Sequence, residues 1–275
     1  MTRSDLNLGF IGLGALGLPM AANLVKAGFP LRVHTRSRRA ETTPDLAGSL
    51  PCASPAEAAA GVDVLVLCVS DDAAVEAVLF GPNGAADALK PGARVLDCST
   101  ISPAQAIRCG ERLNSRGVFY LDAPVTGGTE GARAGTLTVL VGGEPAALAS
   151  VRPVLEVIGG TIHHFGAIGR GQQVKAVNQV LVAGSYAAVA EAMALGQRLQ
   201  LPMPQVVDAL KGGAAGSWTG ITSSVSVTWP PTPSTIVSAR VTVEATISLK
   251  EYSVYENFSS SMAGMPDVHS SGIAS

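Results

Sequence analysis

Aromatic residues are scarce in this chain: its 275 residues include 2 Trp, 4 Tyr and 6 Phe. Charge is scarce as well, at 15% Asp, Glu, Lys and Arg, against roughly 25% in ordinary soluble domains. Neither sign dominates, with 21 acidic and 19 basic residues. No basic surface therefore argues for nucleic acid or for an anionic membrane. The opening segment, MTRSDLNLGFIG, lacks the long apolar run of a signal peptide. The longest apolar candidate helix, Val180–Leu195, is interrupted by Gly184, Ser185, Tyr186 and Glu191. That is short of the roughly 20 apolar residues a spanning helix needs. The four cysteines, at 52, 68, 98 and 109, form neither a C-x-x-C pair nor a zinc spacing. They read as reduced cysteines, two of them in apolar runs, which predicts a soluble cytoplasmic protein.

What is abundant is small and apolar. Hydrophobic residues make up 47% of the chain and glycine contributes 31 positions, too apolar for disorder and enough for a proper core. Over the first 165 residues, short apolar runs alternate with alanine-rich segments of helical spacing. Leu8–Ile11, Leu31–His34, Val62–Val69, Arg94–Asp97 and Val118–Asp122 read as strands. VDVLVLCV is apolar almost throughout, as a parallel strand covered on both faces must be. The alternation predicts a doubly wound α/β sheet, with Gly135–Gly143 as a further strand closing the domain. From Gly169 the pattern changes. Gln172–Gln200 reads as one long, mostly apolar helix, predicted to be buried on most sides at a seam between domains. Pro202 and Pro204 end it, and Gln205–Lys211 reads as a short helix.

Gly12-Leu13-Gly14-Ala15-Leu16-Gly17 follows the first strand and opens a helix that Gly28 ends. Gly12 permits a tight turn, Gly14 lets backbone approach a pyrophosphate, and Gly17 allows close helix–strand packing. The helix N-terminus then offers N–H groups and a positive dipole end to phosphates. In its strand–turn–helix context the motif predicts a Rossmann-type dinucleotide site. About 20 residues on, an NAD site would place an acid against the ribose. Here the second strand ends His34-Thr35-Arg36-Ser37-Arg38-Arg39, with no acid. Guanidinium forks suit a 2′-phosphate, which favours NADP(H) over NAD(H); a solvated arginine cluster is the alternative.

Two further segments carry polar chemistry. Asp122-Ala-Pro-Val-Thr126-Gly127-Gly128 continues to Gly131 and Gly135, a strand end followed by a flexible glycine run. Such a run can turn backbone N–H groups toward a carboxylate, or be a plain loop. Gly169-Arg-Gly171-Gln-Gln-Val-Lys175-Ala-Val-Asn178-Gln179 opens the long helix, with Lys175, Asn178 and Gln179 on one face. A lysine on an apolar helix is costly without a partner or a task; snorkelling to the surface is the other reading.

With these segments the sequence resembles the β-hydroxyacid dehydrogenases, a family that includes 3-hydroxyisobutyrate dehydrogenases, tartronate semialdehyde reductases and glyoxylate/succinic semialdehyde reductases. The resemblance runs from Asn7 to Trp218. It rests on GFIGLGALGLPMAANLVKAG, DAPVTGGTEGARAGTLTVLVGG and GRGQQVKAVNQ, in the family's order. It implies that Lys175 is the catalytic lysine and that Asn178 bonds the reacting oxygen, with Gln179 beside it. Thr126, Gly127 and Gly128 stand where the family holds the substrate carboxylate, Thr replacing the commoner Ser. Val69, Ser70 and Thr100 match loops near the nicotinamide, Ser70 standing where proline is common. The implied partner is a small carboxylate-bearing substrate, with no nucleic acid and no membrane, and a homo-oligomer if the C-terminal domain folds.

The resemblance fails after Trp218. Between Ala176 and Trp218, 15 of 43 residues are Ala or Leu and two are Ser or Thr; between Thr219 and Ser275, 5 of 57 are Ala or Leu and 20 are Ser or Thr. Pro230, Pro231 and Pro233 forbid a helix there. The family's closing helices, with a further lysine in a K-D-L setting, have no counterpart. Lys250 in SLKEYS takes no role over. The predicted organisation is therefore an NADP-binding domain over 1–166, and an inter-domain helix with the start of an all-α domain over 167–218. An atypical tail follows over 219–275, weakly strand-like or disordered, as replacement or translation in another frame would produce. An NADP-dependent semialdehyde reductase or hydroxyacid dehydrogenase is expected, with an impaired or non-catalytic NADP-binding protein as the alternative.

Overall fold

The computed structural model describes residues 6–36 and 43–212. The predicted tail, and Ser37, Arg38 and Arg39 of the arginine cluster, lie outside the described residues. The described chain divides into two compact units, one ending at Lys175 and the next starting at Ala176.

The first unit is built on six strands: β1 (Leu8–Ile11), β2 (Leu31–His34), β3 (Leu50–Pro51), β4 (Val64–Leu67), β5 (Arg94–Asp97) and β6 (Phe119–Asp122). They pair in the order β3-β2-β1-β4-β5-β6, and every pairing is parallel. This is the predicted doubly wound sheet, with the strand order reversing beside β1. Its residues alternate between two cores because successive side chains point to opposite faces. Phe10, Val64, Val66 and Leu96 face one core, which α1 (Gly17–Lys26) and α6 (Pro145–Ile158) complete. Ile11, Leu65, Leu67 and Val95 face the other, which α2 (Pro55–Ala59), α3 (Asp72–Phe80) and α4 (Pro103–Asn114) cover. Ser54, Asp71 and Ser102 accept from the third residue of α2, α3 and α4 respectively, stopping each helix where its strand-exit loop ends.

Three differences from the sequence expectations concern the neighbourhood of the site. The two-residue β3 has too little apolar pattern to be legible. Leu137–Val141 (β8), within the predicted Gly135–Gly143 strand, does not join the main sheet. It forms a separate one, antiparallel to β7 (Val125–Thr126) and parallel to β9 (Gly159–His164). A single antiparallel bridge, Asp122 to Gly142, links the two sheets. Third, the glycine run after Thr126 is ordered: Gly128–Ala134 forms α5, and Asn23 on α1 donates to the Ala132 carbonyl at its end, 2.9 Å away. Tertiary packing against α1 overrides the poor helix propensity of glycine.

The long helix α7 spans Arg170–Arg198 and is followed by α8, Met203–Lys211. By length and composition alone α7 could cross a membrane, yet Gln172 and Lys175 in its first two turns are buried in the first unit. Within the second unit, Gly196 lies against Met203, where a Cβ would meet the sulfur at 2.7 Å. The expectation of burial on most sides does not hold there. Val177, Val180, Leu181, Leu195 and Leu199 are all more than half exposed, because apolar character sets a helix's demand for cover without supplying it.

Candidate active site

The parallel strands β1, β4, β5 and β6 all end at one edge of the sheet, where a doubly wound fold binds its ligands. At the end of β1, Gly12 adopts φ +102, and a Cβ there would collide with the Cys68 carbonyl oxygen. Gly17 is equally constrained, since its Cβ would strike the Gly12 carbonyl oxygen. Gly14 differs: no protein atom lies within 4 Å of where its Cβ would be. Its lack of a side chain serves open space above the loop, as a cradle for pyrophosphate requires. The same turn holds Leu13, Ala15 and Leu16. No side chain caps the α1 N-terminus and no acid stands in its first turn. These features fit a dinucleotide phosphate.

Thr35 and Arg36 follow β2 directly, and Arg36 is exposed. Across the switch point, the exits of β4 and β5 are tied together. The Val69 N–H donates to Ser99 Oγ at 3.0 Å, and the Ser99 N–H to Asp97 Oδ1 at 2.9 Å. Ser70 and Thr100 sit beside this tie, both partly exposed. Tyr120 donates its hydroxyl to Asp97 Oδ2 at 2.8 Å. Burial pushes the Asp97 carboxyl up to about 6; the Ser99 and Tyr120 donors oppose that, and the charge of Asp122 adds to it.

Asp122 closes β6 and opens the segment that carries Thr126, Gly127 and Gly128. Thr126 is half-buried at the end of β7, while Gly127 and Gly128 are exposed at the start of α5 with φ +129 and +64. Those left-handed angles favour glycine. The Asp122 side chain reaches away from this loop. Its Oδ1 accepts from the Gly169 N–H at 2.7 Å and its Oδ2 from the Gln172 N–H at 2.8 Å. It therefore caps the N-terminus of α7 from another strand. Burial pushes its pKa up, against the pull of those donors.

Gln172, 1% exposed, spends both ends of its amide on the β5 exit loop. Its Nε2 donates to the Ser99 carbonyl at 2.8 Å, and its Oε1 accepts from the Ile101 N–H at 3.2 Å. One turn on, Lys175 is 5% exposed. Asn178 and Gln179 come next on the helix, in the second unit, where Asn178 Nδ2 donates to Gln179 Oε1 at 3.1 Å.

In the sequence, Asp122 and Gln172 lie inside motifs that assign them no task, and Asp97 and Ser99 lie outside those motifs. One signal for the aspartates was present: RVLD and FYLD both end in Leu-Asp, and Asp97 and Asp122 pair in register. For Gln172 no local signal existed.

Two family models match the chain. One, the NAD-binding domain of 6-phosphogluconate dehydrogenase, covers residues 7–166. The other, described as the NAD-binding domain of NADP-dependent 3-hydroxyisobutyrate dehydrogenase, covers 169–236 and so runs past Trp218. L-threonate dehydrogenase from Cupriavidus necator is 41% identical over 215 residues, 77% of this chain and 72% of that protein. 2-Hydroxy-3-oxopropionate reductase from Escherichia coli is 40% identical over 212 residues, again 77% and 72%. Among solved structures, Mycobacterium tuberculosis 3-hydroxyisobutyrate dehydrogenase with L-serine superposes with a TM-score of 0.67. The two are 35% identical over 78% of this chain and 72% of that one.

Proposed function

This chain belongs to the β-hydroxyacid dehydrogenase family of NAD(P)-dependent oxidoreductases, and from that premise we propose that it uses NADP(H) to interconvert a small β-hydroxyacid and its semialdehyde or keto acid. When bound, the nicotinamide supplies a hydride to the substrate carbon or removes one. Lys175 Nζ gives a proton to the substrate oxygen in reduction and takes it back in oxidation. Thr126 and the N–H groups of Gly127 and Gly128 hold the substrate carboxylate. Asn178 donates to the reacting oxygen, with Gln179 beside it. Gly12 to Gly17 receive the pyrophosphate, Val69, Ser70 and Thr100 flank the nicotinamide, and Thr35, Arg36, Ser37 and Arg38 take the 2′-phosphate. We also propose that the protein is cytoplasmic and, if its C-terminal domain folds, a homo-oligomer.

The observation that carries this reading is Lys175, a buried lysine on a helix start pinned both to the β5 exit loop and to the strand that begins the carboxylate segment. Its burial supports a task for this lysine over snorkelling to the surface. The NADP(H) preference is supported by Arg36 at the end of β2 and by the absence of an acid there.

Lys175→Ala is expected to lower kcat by about a thousandfold while leaving NADPH affinity, followed by cofactor fluorescence, within about twofold of wild type. Retained turnover in that variant overturns the assignment. The substrate panel is glyoxylate, succinic semialdehyde, tartronate semialdehyde and methylmalonate semialdehyde, each with NADPH and with NADH. A clear NADH preference overturns the arginine argument. A second reading, dinucleotide binding with little turnover, is favoured by one observation: Val177, Val180 and Leu181, on the helix turns carrying Asn178 and Gln179, are more than half exposed. NADPH binding without oxidation by any panel substrate would select it.

A further inference from the structure

Between strand exits and the helix of Lys175 lies a set of buried polar contacts that the proposed chemistry does not itself use. Gln172 is an amide with both ends bonded to backbone, to Ser99 and Ile101, across 73 and 71 residues of sequence. Ser99 in turn holds the Val69 N–H, so one side chain connects the helix to both loops on the nicotinamide side. Asp122 connects the same helix start to the strand that leads into Thr126 and Gly127. The approach is close by design of the backbone. A Cβ on Gly171 would collide with the Leu140 carbonyl oxygen and meet Asp122 Oδ2 at 2.8 Å, and one on Gly142 would press on Asp122 Oδ1.

An apolar contact could hold the helix against the sheet, but it would slide. Hydrogen bonds to two backbone groups fix distance and direction together. Lys175 sits three residues beyond Gln172, on the same face of the helix, so a shift of the Gln172 amide is passed on to Nζ. We propose that Gln172 and Asp122 are positioning residues for Lys175, Gln172 setting it against the nicotinamide-side loops and Asp122 against the carboxylate segment. This rests on the reading of Lys175 as the proton donor. Misplacement by about 1 Å costs roughly a hundredfold in rate, and supporting contacts of this kind are what hold a group within ~0.5 Å of its productive place.

The test compares wild type, Gln172→Met and Asp122→Asn in the full chain. Gln172→Met keeps the size of the side chain and removes both bonds. Where it fails to fold by thermal melting, Gln172→Glu replaces it, keeping the acceptor for Ile101 and losing the donor to Ser99. With a substrate that wild type reduces, kcat is expected to fall about thirty- to a hundredfold, with KM and NADPH affinity within about threefold. The alkaline limb of the kcat–pH profile should move as well, which loosened packing alone would not do. Independently of turnover, trace acetylation of Lys175 with acetic anhydride across a pH series, read by mass spectrometry, is expected to show an altered labelling midpoint or rate in each variant. A wild type that reduces no panel substrate overturns the functional reading, and the labelling still decides the positioning role. Unchanged kcat in an active enzyme, or unchanged Lys175 labelling in any case, overturns the inference.

Discussion

The described residues up to Lys175 and those over 176–212 draw on the same small apolar residues and treat them differently. In the first unit Leu65, Leu67, Val95 and Leu96 have no exposed surface, because sheet and helices cover one another on two sides. In the second, α8 has no buried residue, and most of the large apolar side chains of α7 beyond Lys175 stand open. Every buried polar or charged residue among those described, from Asp97 to Lys175, also belongs to the first unit. Apolar composition, then, states a demand for burial. Whether the demand is met depends on what is packed against it.

The sharpest way to break this comparison is to truncate one leucine on each side of it. Leu96→Ala removes a fully buried side chain and is expected to cost about 2–5 kcal/mol in urea unfolding followed by circular dichroism. Leu181, 66% exposed, should cost less than about 0.5 kcal/mol when changed to Ala. A large loss at Leu181 would show that the second unit buries that face in solution.

Next in size is a pH effect confined to the first unit. The Asp97 carboxyl rises from 3.8 to about 6 on folding, so folding favours its protonated form. The stability it contributes is fully present below about pH 4 and is lost as pH rises to about 6. A shift of that size corresponds to roughly 3 kcal/mol. The difference in unfolding free energy between wild type and Asp97→Asn should therefore change by that order across pH 4–6 and stay level above pH 7. A flat difference would mean that Asp97 ionises freely in the fold. The smallest effect expected is a gain. Gly184 lies inside α7 with nothing within 4 Å of its absent Cβ, so Gly184→Ala should stabilise the helix by about 1 kcal/mol, seen as slower amide exchange across α7. At Gly17 the same substitution has no room, which is the comparison again in two glycines.

Much of the first unit was legible in the sequence. Strand Leu8–Ile11 was visible as an apolar run because a strand covered on both faces excludes polar residues along its length. Leu31–His34 and Arg94–Asp97 were visible from their apolar residues despite polar ones among them. Gly12 and Gly17 were legible because their conformation and close approach leave glycine alone. The long helix was readable from its length and its terminating prolines. Less legible was the stretch from Gly127 to Ala134, which reads as flexible glycine until α1 is in place to receive it. The fate of Leu137–Val141 was illegible too, since an apolar run does not say which sheet it joins.

By itself the sequence determined that a dinucleotide motif follows a buried strand, that no acid follows the second strand, and that a lysine stands near the start of a long helix. Each is a property of neighbours in the chain, set by backbone conformation or by periodicity. Only the tertiary structure decided that Asp122 caps that helix from 47 and 50 residues away, and that Gln172 reaches Ser99 and Ile101 across 73 and 71. Spacing carries no record of such bonds. Partners so far apart meet only after the parallel crossovers have brought the strand ends to one edge, and it is beside them that Lys175 is buried.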